Sequence, residues 1–415
     1  MLDTVTQTVV APGASRAKAL SGPALALILG ILGASYVFNG MDRQMFPALL
    51  GPINREYHLA LSEGSFLTTI FVGNVALFSA FSSWFMKRFG RRATLVGGLL
   101  SYSLFTFITP MATSFYGLAV YRALTGAGEA LQICAIFSCV GAYFGDRRGA
   151  AMGVINASFG LGAFLGPVLG TLIFSRTGSW QMPFYVFGVA GIVAAILVQI
   201  IVPKQFSEAA DTERATSGVA AIVGPTRILN RNLIILVTCF YLFGVAFFSF
   251  TALYAAYLRV HLGYSVGEAG MTFGLYGIGA LGGFVGGWLG EKFRTRGMLG
   301  ALAALAIVSY LMFHGAASHY EQGILSLGFG LLASGYLYPR FVSVIQRNVP
   351  SEKVIYAVSI GMTFFYVSGL LSGYAFGRLT EALGWSSAAS LMMAAPPALA
   401  FVLMLFYRPG MARGA

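Results

Sequence analysis

Charge is what this sequence has least of. Only 10% of its 415 residues are Asp, Glu, Lys or Arg, against about 25% in an ordinary soluble chain. With 57% hydrophobic residues and a mean hydropathy of +0.77, the composition excludes a solvated globular domain and places the chain in a membrane. Cysteine is almost as scarce. Cys134, Cys139 and Cys239 each lie in an apolar run without CxxC spacing, which excludes a disulfide framework and a cysteine metal site. The four histidines, His58, His261, His314 and His319, are scattered, so an HExxH-type centre is absent. With no nucleophile–base or metal constellation, an enzyme is the class least supported. Acids are outnumbered, and the net charge is +12. The basic residues fall in short loops between apolar runs, however, so membrane topology explains them better than a nucleic-acid partner does.

What is present is a series of apolar runs of about 20 residues, the length needed to cross a bilayer as a helix. Twelve are expected: 23–50, 64–86, 93–112, 114–144, 148–175 and 180–203, then 232–260, 266–290, 297–317, 322–346, 354–380 and 385–407. The longest polar stretch, 204–231, separates the two sets. The expected organisation is an N-terminal six-helix bundle (1–203), a linker (204–231) and a C-terminal six-helix bundle (232–415). The first run is long enough to span and no small-residue cleavage site follows it, so it reads as a retained helix rather than a signal peptide. With an even number of spans, 19 of the 26 Lys and Arg fall on the side of the termini. Both termini are therefore expected in the cytoplasm, in what is expected to be a bacterial inner membrane.

Two landmarks repeat at one offset. The turn Ser83-Trp-Phe-Met-Lys87-Arg88-Phe-Gly90-Arg91-Arg92 recurs 204 residues later as Gly287-Trp-Leu-Gly-Glu291-Lys292-Phe-Arg294-Thr-Arg296. Gly178-Ser-Trp180 recurs 205 residues later as Leu383-Gly384-Trp385. Duplicated halves of this kind are a transporter architecture.

Against this apolar background a few groups stand out. Arg122 and Glu129 are seven apart in the fourth run, so on a helix they face the same way about 10 Å apart. Glu129 lies about 22 Å along that helix, beyond snorkelling reach. Charges at such depth are costly and mark function by default; a buried ion pair with another helix is the alternative. The first run contains Tyr36-Val-Phe-Asn39-Gly40-Met-Asp42-Arg43-Gln44. Asp42 and Arg43 point about 100° apart. Apolar sequence resumes after them, which favours one facing a central cavity over both reaching water at a helix end. Tyr36 and Asn39 are candidate contacts beside them. The tenth run holds Tyr336-Leu-Tyr338-Pro339-Arg340, where Pro339 is expected to disturb the helix ladder. Arg340 is near enough to a helix end to snorkel, so an interfacial or gating role and a substrate contact both stay open. Among the many aromatics, Tyr254 and Tyr366, with Asn74 and Asn156, are the candidate polar lining of a cavity. The run Gly160-Leu-Gly162-Ala-Phe-Leu-Gly166-Pro167-Val-Leu-Gly170 reads as close helix contact plus a bend.

Twelve spans, a long middle loop and a GxxxDRxGRR-like turn together resemble the major facilitator superfamily. That resemblance implies an all-α membrane fold of two pseudo-symmetric six-helix bundles and a cytoplasmic gate braced by the turn, here Arg88, Arg92, Glu291 and Lys292. The first copy departs from the pattern, with Ser83 for the usual Gly and Lys87 for the usual acid. Asp42-Arg43 together with Arg122-x6-Glu129 resembles the anion:cation symporter branch. Carried over by position, Asp42 and Glu129 become proton-linked acids, and Arg43 and Arg122 assist an anion. Spinster-like transporters share both Met-Asp-Arg and Gly-x-Gly-Glu-Ala.

Arg43, Arg122 and Arg340 exceed Asp42 and Glu129 by one charge, and an unpaired cation in lipid is unfavourable unless an anion arrives. The expectation is alternating-access uptake of a small organic anion, a carboxylate or sugar acid, with protons. No cofactor is expected beyond the proton gradient. The expected partners are the anionic solute and the lipid bilayer, with the protein a monomer. The competing reading is a Spinster-like or multidrug-type carrier of amphiphiles by proton antiport.

Overall fold

In lipid every backbone N–H and C=O must be satisfied within its own segment, so long apolar runs fold as helices. The structure, a computed structural model, describes residues 20–144, 148–208, 230–315, 317–349 and 354–408. The first bundle contains α1 (Gly22–Ala48), the short α2 (Leu50–Glu56), α3 (Leu61–Phe89), α4 (Arg91–Ile108), α5 (Phe115–Phe144), α6 (Arg148–Thr177) and α7 (Gln181–Ile201), followed by the one-turn α8 (Lys204–Ser207). The second contains α9 (Arg231–Val260), α10 (Val266–Leu281), α11 (Gly283–Phe313), α12 (His319–Gly330), α13 (Tyr338–Arg347), α14 (Val354–Leu383), α15 (Trp385–Ala389) and α16 (Ala395–Met404). Among the described residues ten helices are long and apolar enough to cross a membrane. The two expected spans missing from that number are the short α10 and the broken 319–347 stretch.

Both departures have local causes. The runs 266–290 and 297–317 were expected to part at the basic turn near 291–296. Instead the break falls at Gly282, and α11 continues from Gly283 through that turn. Gly279 and Gly282 lie where α10 meets the backbone and side chains of 327–331, and glycine weakens a helix interior. In the tenth run α12 passes into a π-helical segment, Leu331–Leu337, before α13 begins. Pro339 has no N–H and its ring crowds the carbonyl four residues back, so the ladder widens ahead of it. The same device, Ser390–Ala394, precedes Pro396 and Pro397.

Helix ends carry the duplication further. Glu63 Oε2 accepts the Ala60 N–H at 2.9 Å at the start of α3, and Glu268 Oε2 accepts the Ser265 N–H at 2.8 Å at the start of α10. These are equivalent positions 205 residues apart. Hydrogen bonds from the Ser265 hydroxyl and backbone hold the exposed Glu268 carboxyl below the usual carboxylate range. Gly178 and Gly384, the glycines of the second landmark, take φ of 69° and 79°. Each sits past a helix end in a conformation that glycine adopts without strain.

Within the first bundle, α6 lies against α1 where Gly162 and Gly166 meet the backbone of Val37, Gly40 and Met41. Across the bundles, α6 meets α10 through Gly160 and Gly277, and α3 meets α14 through Ser62, Ser65, Gly373 and Gly377. Small residues permit this backbone approach. On the face away from the termini, the Ser62 N–H donates to Glu381 Oε1 at 2.9 Å, tying the halves together there.

Candidate functional site

The four charged groups singled out in α1 and α5 come together inside the first bundle, each pairing across the two helices. Arg43 donates from Nη2 and Nε to one oxygen of Glu129, Oε2, at 2.8 and 3.1 Å. Arg122 Nη1 faces Asp42 Oδ2 at 3.4 Å. Asp42 Oδ1 accepts the Thr106 hydroxyl of α4 at 2.7 Å. Glu129 and Arg122 have 0% exposure and Asp42 2%, while the Arg43 side chain keeps 16%.

Phe71 of α3 lies between the pairs, its ring centroid 5.2 Å from the Arg43 guanidinium carbon and 5.0 Å from that of Arg122. Phe159 sits 5.4 Å from Arg43, and Phe46 sits 4.5 Å from Arg122. Aromatic faces stabilise a cation where water is excluded. The pairing leaves Glu129 Oε1 and Arg122 Nε and Nη2 buried with no hydrogen-bond partner among the described residues.

One turn nearer the termini a second, uncharged contact joins the same helices. Asn39 Nδ2 donates to Gln132 Oε1 at 2.9 Å, and Gln132 Nε2 donates to Ser35 O and Oγ at 3.1 and 3.3 Å. Gln132, Ser35, Thr106 and Phe71 all escaped the sequence reading. Gln132 lies three residues past Glu129, on the same helix face, a spacing that would have flagged it. Thr106 and Phe71 come from other helices and carry no such signal.

Tyr36, Tyr338 and Tyr366 gather on the open side of this cluster, all within electrostatic reach of Arg43. Tyr36 packs on Phe159, with ring centroids 5.6 Å apart. Tyr338 and Tyr366 reach across from the second bundle, both packed on Phe365. Arg43 is thus the member of the cluster that meets the seam between the halves.

Other candidates take no part in the ion pairs. Asn39 is wholly buried and turned to α5. Tyr254 is also wholly buried, its hydroxyl donating to Gln322 Oε1 at 2.8 Å inside the second bundle. Asn74, half-buried, donates back to Ile70 O of its own helix at 3.4 Å, and Asn156 is exposed on α6. Arg340 is 9% exposed and lies near Tyr336 and Tyr407. Without it, the central cluster holds two cations and two acids and is neutral, not singly positive as the count of intramembrane charges suggested.

At the gate turn Arg88 is exposed, while Arg92 donates to Gln199 O of α7. The side chains of Glu291 and Lys292 fall outside the described residues. The acid lacking at position 87 has a neighbour from elsewhere: Glu208, just past α8, accepts the Arg92 backbone N–H at 2.9 Å at the start of α4. Phe206 anchors this segment against Tyr143, with ring centroids 4.8 Å apart. Among the described residues no group of three His, Cys, Asp or Glu is placed to hold a metal.

The geometry is that of a membrane carrier with a charged, seam-facing centre. The family model described as Major Facilitator Superfamily matches residues 32–286 and 253–414, and the chain belongs to that superfamily. It is therefore a multi-pass membrane transporter rather than an enzyme. The chain is similar to the 3-(3-hydroxy-phenyl)propionate transporter of Escherichia coli (strain K12), 24% identical over 94% of this chain and 96% of that protein. It also resembles the Sphingosine-1-phosphate transporter SPNS2 of Danio rerio, 26% identical over 44% of this chain. The match spans only 37% of that relative's length, and 40% of its Xenopus tropicalis counterpart. Among solved structures, a bacterial homolog of the human lysosomal transporter Spinster, in an inward-facing and occupied conformation, superposes with a TM-score of 0.71 at 18% identity. That match covers 94% of this chain and 96% of that one, a likeness of fold.

Proposed function

We propose that this protein couples proton movement to uptake of a small organic anion, a carboxylate with an apolar or aromatic body, by alternating access. The observation that carries the reading is the Arg43–Glu129 pair, whose carboxylate is fully buried while its guanidinium reaches the seam. With Glu129 ionised, Arg43 is neutralised and an anion gains little by approaching. Protonating Glu129 removes that competitor and leaves the cluster with one net positive charge beside Tyr36, Tyr338 and Tyr366. A carboxylate arriving from the seam then replaces Glu129 as the partner of Arg43, through charge-assisted hydrogen bonds. Proton and anion stabilise the same loaded state, which is the requirement for coupling through a conformational equilibrium. Asp42, held by Thr106 and Arg122, is the second proton-linked acid in this reading. The protein works as a monomer in a bacterial inner membrane, with both termini in the cytoplasm.

A second reading, carriage of an amphiphile by proton antiport, draws support from the aromatic wall around Arg43. Entrance counterflow in proteoliposomes separates them: the protein is loaded with candidate aromatic and aliphatic carboxylates, hydrophobic dyes or lysolipids. Saturable exchange of carboxylates identifies the anion as cargo, and its accumulation under an imposed inward proton gradient supports symport. Movement of dyes or lysolipids with no response to any carboxylate overturns it.

A further inference from the structure

The mechanism above uses Glu129 Oε2 and leaves Oε1 unexplained. A second buried acceptor, Asn39 Oδ1, is also without a partner among the described residues. Both belong to the contact between α1 and α5. Asn39 and Arg43 are four apart on one helix, and Glu129 and Gln132 are three apart on the other. Their contacts therefore stack as successive rungs about one helical turn, or ~5 Å, apart.

The orientation of the lower rung is fixed by backbone. Ser35 O is purely an acceptor, so the Gln132 atom 3.1 Å from it is the amide nitrogen. Gln132 therefore presents its oxygen to Asn39, and Asn39 must present its nitrogen in return, which leaves Oδ1 as the free atom. The Ser35 hydroxyl donates to Leu32 O at 2.7 Å, and the Tyr102 hydroxyl also donates to Ser35 O, at 3.4 Å. Both N–H groups of Gln132 are thus committed to Ser35, and of the rung's two amide oxygens it is Asn39 Oδ1 that stays without a partner among the described residues.

Two buried acceptors on adjacent rungs of one helix contact are the setting for one molecule that donates twice. Buried waters bridge polar groups left unsatisfied in this way, at ordinary O–H···O lengths of ~2.8 Å. We propose that Asn39, oriented by Gln132, is a positioning residue that holds one buried water against Glu129 Oε1, and that this water hands Glu129 its coupling proton.

The proposal rests on the proton-coupled reading of Glu129. With the carboxylate ionised, the water donates one hydrogen to Oε1 and one to Asn39 Oδ1. When a proton arrives, a hydrogen stays on Oε1 and is donated back to the water oxygen, while the water keeps its hydrogen bond to Asn39. The net change is one proton added to Glu129, with Arg43 still on Oε2. The other titratable or charged groups around Glu129 are Tyr36, Asp42 and Arg43 from α1, Tyr102 from α4 and Arg122 from its own helix, with Tyr366 of α14 behind Arg43. The neighbouring residue from α3 is the neutral Phe71.

Infrared difference titration of the purified, detergent-solubilised protein tests this, with the Glu129 carboxyl band assigned by its loss in Glu129→Gln. In Asn39→Leu the ionised carboxylate loses a donor worth more than the acceptor lost by the acid. The band is therefore expected to titrate about one unit or more higher in pH than in wild type. Gln132→Met, which frees the Asn39 amide to turn its N–H toward the carboxylate, is expected to move the band to lower pH, and Asn39→Ser, which keeps an acceptor, restores part of the wild-type profile. A wild-type profile in both folded variants, with melting temperature as the folding control, overturns the proposal. The proton-coupled reading fails separately, if wild-type uptake in proteoliposomes does not respond to an imposed pH gradient.

Discussion

The two bundles share a plan but fill their centres differently. In the first, α5 places Arg122 and Glu129 against α1 and balances each with an opposite charge. In the second, the residues 204 positions later are Ser326 and Ala333, both fully buried. Ser326 reaches Phe273 O at 3.5 Å and lies against Tyr254, and Ala333 lies in the π-helical segment ahead of Pro339. The space is taken by rings: Phe365 packs on Phe240 at 4.7 Å and Phe248 at 4.9 Å, and Phe250 stacks on Phe329 at 4.0 Å. Duplication kept helix ends and turns, which every crossing needs, and let the centres diverge. One half holds buried charges in pairs, and the other fills the same level with packed rings.

Breaking the charged half has the larger expected effect. Arg43→Met leaves Glu129 buried and unpaired, so the folded state is expected to lose about 3–5 kcal/mol, read as thermal unfolding in detergent. Adding Glu129→Gln removes the stranded charge and recovers most of that loss. A single substitution that melts like wild type contradicts the buried pairing. In the aromatic half, Phe365→Leu removes ring contacts without exposing a charge, at an expected cost of about 1–2 kcal/mol. It is expected to weaken solute binding while leaving the pH dependence of uptake in place. A shifted pH dependence in Phe365→Leu would mean that titration is not confined to the first bundle.

The helix pattern was legible from the runs of apolar residues, because a bilayer leaves the backbone little choice. The duplication was legible from two landmarks, and the structure extends it to Glu63 and Glu268. The break at Gly282 was hidden, since basic residues at 291–296 look like a turn whether or not the helix continues. In the site, Asp42, Arg43, Arg122 and Glu129 stood out because charge is scarce, but which acid meets which base depends on how α1 and α5 are rotated. That same rotation turned Asn39 away from the seam. Arg340 was counted with the central charges because depth along a helix does not tell which cluster a side chain joins.

The central claim is that Glu129 couples the proton to the solute through Arg43. The most direct measurement compares Glu129→Gln with wild type in proteoliposomes, with a pH gradient imposed for net uptake and with none for exchange. The account expects the variant to lose gradient-driven accumulation and to retain exchange, since glutamine mimics the protonated acid. Accumulation that still follows the pH gradient in Glu129→Gln would contradict it.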